Sequence, residues 1–371
     1  MHKGLTSDAV GFTQSTVDEC LYFRGTTILL VYVDDCIMID PDQANIDEAF
    51  RLIVAAGYDM TDEGDLNDYL GVDVSRKDDG TIHLTQPKLI NQIISDLNFN
   101  ERTKPKEFPA LIGKTLQPSL DAEPHNMDYN MRSVIGKTNY LEKSTRPEIA
   151  FASHQIARFS ANPREPHSKA MQHLGRYLKG TADKGIIYRP DTTKGFEVYA
   201  DADLAGTWNK ETAEDDPTTA KSRAGFIIKF LGCPILWSSK LIPEICLSTT
   251  EAEYVALSEA LRQTIPLMNL MTECKERDIL RETYDPKVYC KAFEDNSGAL
   301  EMARSPKMRP RTKHINLKYH WFRSWIAQDG EDPTGKVHVY AIGTESQEAD
   351  LMTKQPIEVL FYKFRLAICG W

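Results

Sequence analysis

"GFEVYADAD" (residues 195–203) reads as a β-strand, and the elements after it decide the architecture. "AGFIIKF" (224–230) and "CPILWSS" (233–239) are two further strands in close succession. A long helix is expected over about 249–276, kinked at Pro266. "KVYCKAFED" (287–295) is a fourth strand, with helices near 296–304 and 313–328. "KVHVYAIG" (336–343) is a fifth strand, and a last helix begins near 346. Three meander strands, a helix, then alternating strands and helices describe a mixed five-stranded sheet flanked by helices, an α/β unit. The polar stretch 209–222 reads as an exposed loop.

The acids of this half stand at the ends of elements. Asp201 lies at the end of the first strand, Glu253 in the first turns of the long helix, Asp295 at the end of the fourth strand and Asp350 early in the last helix. Sites in open sheets gather at the carboxyl ends of strands. Four carboxylates meeting there are tolerable only with divalent cations between them, and two hard cations about 4 Å apart serve in-line phosphodiester cleavage. Oxygen ligands suit Mg²⁺, with Mn²⁺ as a substitute. Each acid also has a structural alternative. Asp203 shares a face with Asp201, so one of the two can be simply solvated. Glu251 completes a capping box with Ser248. Asp295 can cap the helix after it, and Asp350 can serve the helix dipole. Glu253 shares a face with Ala256, Leu257 and Ala260, which puts a charge at the edge of a buried stripe.

Upstream, "TILLVYVDDCIMID" (27–40) reads as a hairpin whose two-residue turn is Asp34–Asp35. Adjacent carboxylates repel, and either solvent or a metal ion must relieve them. A helix is expected over 43–56, strands over 68–76 and 81–86, and a short helix over 87–98 opened by Pro87. Residues 102–127 contain four prolines and read as a connector. Helices are expected next over 129–143, 147–160 and 166–179. The net charge of −10 conceals a division: residues 18–79 hold sixteen acids and four bases, whereas 304–323 hold seven bases and no acid. Local basic stretches beside acidic ones fit a polyanion groove next to carboxylate metal sites. No run of eighteen apolar residues exists, so no membrane span is expected. The N-terminus lacks the apolar core of a signal peptide. Seven cysteines without a CxxC pair argue against a disulfide framework and a zinc site. A reducing intracellular compartment, cytosol or nucleus, is expected.

Ten blocks in order carry a resemblance. Among them are "LLVYVDD", "DYLGVDVSR", "RYLKGTADKGIIY", "YADADLAG", "LSTTEAEYVALSEA", "EDNSGAL", "RTKHINLKYHWFR" and "EADLMTK". The chain resembles the C-terminal part of the Pol polyprotein of copia-type LTR retrotransposons, the reverse transcriptase tail and then ribonuclease H. The resemblance implies an α+β palm/thumb remnant, then an α/β ribonuclease H-like domain. Its division would be a partial palm over 1–101, a proline-rich connector and basic helical thumb over 102–190, and the ribonuclease H-like domain over 191–371. It implies that Asp34 and Asp35 hold metal on a polymerase hairpin, with Tyr32 near a primer end. It implies that Asp201, Glu253, Asp295 and Asp350 are the catalytic, metal-binding acids of a nuclease. Lys307, Arg309, Arg311, Lys313 and His314 would lie along the phosphates. The implied partner is an RNA–DNA hybrid or other nucleic acid, with no small-molecule substrate at the nuclease site. The family pattern has Trp at the position of Leu204, and its polymerase site needs a further upstream aspartate that no matching motif here supplies. The expectation is therefore a ribonuclease H whose polymerase activity is lost through N-terminal truncation. The alternative is an inactive nucleic-acid-binding remnant.

Overall fold

The structure, a computed structural model, describes residues 2–119, 121–210, 217–277, 279, 288–305, 315–328 and 335–371. A one-turn helix α1 (His2–Leu5) precedes strands β1 (Thr13–Gln14), β2 (Leu21–Arg24), β3 (Thr27–Tyr32) and β4 (Asp35–Ile39), which pair antiparallel in that order. Tyr22 and Leu29 face helix α2 (Gln43–Ala55) and bury with its Ala49 and Ile53. Asp42 caps α2, its carboxylate accepting from the Ala44 N–H at 3.0 Å. The expected Asp34–Asp35 turn is displaced by one residue. Val33 and Asp34 make it, and Asp35 already pairs with Tyr32 as the first residue of β4. Val33 sits at φ 55°, a strained position for a β-branched residue.

The strand expected over 68–76 is instead a hairpin, β5 (Asp68–Tyr69) and β6 (Val72–Arg76). Leu70 and Gly71 turn it at φ 51° and 72°, the left-handed pair that a tight two-residue hairpin demands. Strand β7 (Ile82–Thr85) comes next, then α3 (Pro87–Asp96) with Pro87 in its first turn. Helices α4 (Met131–Ser144), α5 (Ala150–Ala157) and α6 (Glu165–Gly180) sit close to their expected spans, with Pro147–Ile149 forming a 3₁₀ turn before α5. One element, β-forming in composition but only three residues long, is not among those expected. Strand β8 (Ile186–Tyr188) closes the β5–β6–β7 sheet by pairing with β7 across about a hundred residues of chain.

The third sheet has β9 (Phe196–Asp203), β10 (Arg223–Phe230), β11 (Cys233–Leu241), β12 (Cys290–Glu294) and β13 (Val337–Ala341). Their order is β11-β10-β9-β12-β13, with the first three antiparallel and β12 and β13 parallel to β9. This is the mixed five-stranded sheet read from the sequence. Helix α7 (Thr249–Glu276) crosses one face, running unbroken with Pro266 inside it. Its Tyr254, Val255, Leu257 and Leu261 bury against Phe196, Val198, Ala224 and Phe226. Helix α8 (Ser297–Arg304) comes after β12. The opposite face presents Ile227 to α9 (Asp350–Thr353) and α10 (Glu358–Cys369), in one core with α3, α4, α5 and α6. The sheet thus lies between α7 and a second helical layer that takes residues from both halves of the chain.

Two expected helices differ. Within 315–328 the chain makes 3₁₀ turns, Leu317–Tyr319 and Trp321–Trp325. Tyr319 and Phe322 are the buried residues of the two turns and lie three apart, the period of the tighter coil. The last helix does not begin at 346. A 3₁₀ turn (Thr344–Ser346) leads to the single turn of α9, Pro356 interrupts the chain, and α10 runs on to Gly370 at φ 85°.

Candidate metal centre

The sheet register brings the first two acids together. Phe293 pairs with Tyr199 in the parallel β12–β9 ladder, and their rings stack with centroids 4.9 Å apart. Asp201 and Asp295 each come two residues later, so they emerge side by side at the carboxyl ends of their strands. Asn296, not Asp295, caps α8, accepting from the N–H groups of Gly298 and Ala299 at 3.0 Å. That leaves the Asp295 carboxylate out of the capping role.

Helix α7 supplies the third acid. Ser248 caps it, accepting from the Glu251 N–H at 3.1 Å, and Glu251 reaches back to the Leu247 N–H at 2.7 Å. Glu251 is therefore a structural residue, with its capping bond shifted one position before the cap. Glu253, half a turn on, points into the sheet end and accepts from the Ala202 N–H. Gly298 lets α8 close on this first turn, because a Cβ there would stand 2.6 Å from Thr250 Oγ1. The outcome is one cluster: carboxylate oxygens of Asp201, Glu253 and Asp295 lie within 4.8 Å of one another. Asp201 and Glu253 are buried and Asp295 is half-buried.

Asp350 stands beside this triad. Its Oδ1 lies 2.7 Å from Lys354 Nζ, and it is within hydrogen-bonding reach of Asp201. Three contacts fix the segment that carries it. Gln347 donates from Nε2 to the Ala200 carbonyl at 2.8 Å, Glu348 pairs with Lys229 at 2.5 Å, and α9 lies flush on β10 at Gly225. Thr353 donates its hydroxyl to Asp201.

Crowded carboxylates out of water hold their protons. Burial, then the field of Asp350, lifts Asp201 to about 7. Burial and Asp201 lift Glu253 far above the usual carboxylate range, and burial lifts Asp350. The Glu253 Oε2 atom is buried with no hydrogen-bond partner. An oxygen-only donor set, mutual repulsion and an orphaned buried oxygen fit a hard divalent cation. Residues to which the sequence reading assigns no role complete the surroundings. Glu294 is buried beside the cluster and raised to about 8 by burial, while Thr353, Lys354 and Gln347 have no motif chemistry of their own.

The remaining expected residues are elsewhere. Asp34 and Asp35 are exposed at the β3–β4 tip, with Tyr32 54% exposed beside them. Among the described residues, neither belongs to a group of three ligating side chains. Lys307, Arg309, Arg311, Lys313 and His314 lie outside the described residues, as do 211–216 of the expected loop. No described helix is long and apolar enough to cross a membrane.

A family model described as reverse transcriptase (RNA-dependent DNA polymerase) matches residues 5–111. The retrovirus-related Pol polyprotein from transposon TNT 1-94 of Nicotiana tabacum is 31% identical over 350 residues, 91% of this chain and 24% of that protein. The corresponding polyprotein from transposon RE1 of Arabidopsis thaliana is 30% identical over 360 residues, 96% of this chain and 23% of its own length. The chain spans about a quarter of the length of these relatives. A solved N-terminal RNase H domain from Mycobacterium tuberculosis, fused to maltose-binding protein, aligns with 47% of this chain and 97% of its own. Its identity of 11% and TM-score of 0.28 carry no argument about the fold.

Proposed function

The chain belongs to the Pol polyproteins of copia-type retrotransposons, and on that basis we propose that its 191–371 region is a ribonuclease H cutting the RNA strand of RNA–DNA hybrids. One observation carries the proposal: Asp201, Glu253 and Asp295, from three separate elements, converge within 4.8 Å in a largely dehydrated site. Asp201, Glu253 and Asp295 would hold Mg²⁺ or Mn²⁺, with Asp350 as the adjoining ligand. A bound divalent cation supplies charge neutralisation on phosphate oxygens and an acidified water. The chain's part is to fix the oxygens. The β9–β12 register sets Asp201 against Asp295, the Ala202 N–H aims Glu253, and Thr353 orients Asp201. Lys307, Arg309, Arg311, Lys313 and His314 would track the hybrid backbone, where their charge serves affinity more than sequence choice.

The hairpin is assigned no polymerase chemistry in this polypeptide. Asp34 and Asp35 are solvated, and no third carboxylate among the described residues gathers with them. The test is purified protein, Mg²⁺ and a hybrid labelled on the RNA strand. Cleavage is expected, and Asp295→Asn should lower its rate about a hundredfold or more, since each ion supplies several kcal/mol and 1.36 kcal/mol is tenfold. Cleavage undiminished in Asp295→Asn would overturn the assignment. Salt-dependent hybrid binding without turnover would leave a nucleic-acid-binding remnant in its place.

A further inference from the structure

Asp350 adjoins the tight cluster of the other three acids, and it is the one paired with a protein cation. Lys354 Nζ lies 2.7 Å from Asp350 Oδ1. The residue next to it, Thr353, is fully buried and donates its hydroxyl to Asp201. Two consecutive residues at the end of α9 therefore grip two different carboxylates. The grip depends on how closely α9 approaches the sheet. A Cβ on Gly225 would meet Met352 Cβ at 2.5 Å and Thr353 Cγ2 at 2.8 Å, so glycine is what allows the helix to seat.

The charges make the arrangement asymmetric. Among the described residues, no cation of the chain forms an ion pair with Asp201, Glu253 or Asp295, whereas Asp350 has Lys354. The side chain of Lys354 is 48% exposed against 2% for Asp350, so the ammonium can swing out into water while the carboxylate stays. A lysine ammonium is charged at neutral pH, so at 2.7 Å its attraction for Asp350 persists there.

We propose that Lys354 is a positioning residue of the candidate metal centre, a built-in counter-cation that holds Asp350 against Asp201 without metal and is displaced from Asp350 as a divalent ion binds. Thr353 is its fixed companion, orienting Asp201 whether or not metal is present. This rests on the metal-binding reading above. The two residues then have opposite effects on metal affinity. Lys354 competes with the incoming cation for Asp350, and Thr353 prepares a ligand for it.

The test is Mn²⁺ titration of the whole chain, monitored by calorimetry and by the thermal midpoint, without nucleic acid. Lys354→Gln should lower the metal-free midpoint by about 2 °C and tighten Mn²⁺ binding about tenfold, because a unit charge near a partly buried ion is worth at least that much. Its metal-induced rise in midpoint should exceed that of the wild type. Lys354→Arg should stay within about twofold of wild type in affinity, since the charge is kept. Thr353→Val should weaken Mn²⁺ binding. A purely packing role for Lys354 would lower the midpoint equally with and without metal and leave affinity unchanged or weaker; either result overturns the proposal. If the wild-type protein takes up no Mn²⁺, the metal centre itself fails. If it binds and Lys354→Gln binds no tighter, the counter-cation role alone fails.

Discussion

Asp201→Asn is expected to stabilise the metal-free protein while destroying its proposed activity. Burial, and after it the field of Asp350, lifts the Asp201 carboxyl from 3.8 to about 7. A folded-state value above the unfolded one means that folding favours the protonated acid. The associated stability is complete below pH 3.8 and is lost as pH rises through about 7, where the folded chain must also release the proton. At 1.36 kcal/mol per unit, a rise of about three units amounts to roughly 4 kcal/mol. Asp201 is only 4% exposed, so solvent screening removes little of it. Relaxation of Asp350 and Glu253 brings the expected gain to about 2–4 kcal/mol at pH 8. Asparagine keeps the shape and still accepts from the Thr353 hydroxyl, so the substitution removes charge and little else. The assay is urea unfolding in EDTA across pH 4 to 8, repeated with saturating Mg²⁺. The variant should exceed wild type by the widest margin at pH 8, and the two should converge toward pH 4. Magnesium should raise the wild type and scarcely move the variant. A variant less stable than wild type at pH 8 in EDTA would show that no charge strain resides at Asp201, and the electrostatic account of the site would fall with it.

Gly225→Ala should cost about 1–3 kcal/mol by urea melting, since its Cβ overlaps Met352 and Thr353. Mn²⁺ affinity should fall with it, because α9 carries Asp350. Arg146→Met should cost about 3–5 kcal/mol by the same method, since it strands Glu148, paired at 2.6 Å with both side chains fully buried. The double variant Arg146→Met with Glu148→Gln should recover part of that loss, because a neutral buried amide replaces the unpaired charge.

The sheet of the 191–371 region is legible in the sequence because its signals are local. Strand composition marks β9 to β13, and Ser248 and Glu251 mark the start of α7. The concealed elements depend on partners distant in the chain. Strand β8 exists because β7 lies beside it, and α10 is buried because α3 to α6 surround it. The hairpin at Leu70–Gly71 is hidden for another reason: Leu70 adopts a left-handed conformation that its side chain gives no reason to expect. At the site, the acids are readable as element ends, yet their roles are not. The N-cap belongs to Asn296, one residue beyond Asp295, a shift no spacing rule resolves. The roles of Lys354 and Thr353, though both stand in the "EADLMTK" block, are not readable, because an ordinary Lys and Thr gain meaning only from the carboxylates they touch.

The two acidic sites also show why adjacency in sequence is a poor guide to metal chemistry. Asp34 and Asp35 are neighbours, but both face water, where two unit charges 4 Å apart cost only about 1 kcal/mol. Solvent relieves them, and nothing in the hairpin compels a cation. Asp201, Glu253 and Asp295 are dozens of residues apart, yet they meet in a site with two of the three buried. There the same repulsion is several times larger, and its relief is restricted to protons, Lys354 or a bound ion. Folding energy spent on bringing those acids together is recovered by protonation, by the Lys354 ammonium or by a bound cation. The case for a metal therefore arises from burial and convergence, and it falls on the 191–371 half even though the hairpin carries the more conspicuous motif.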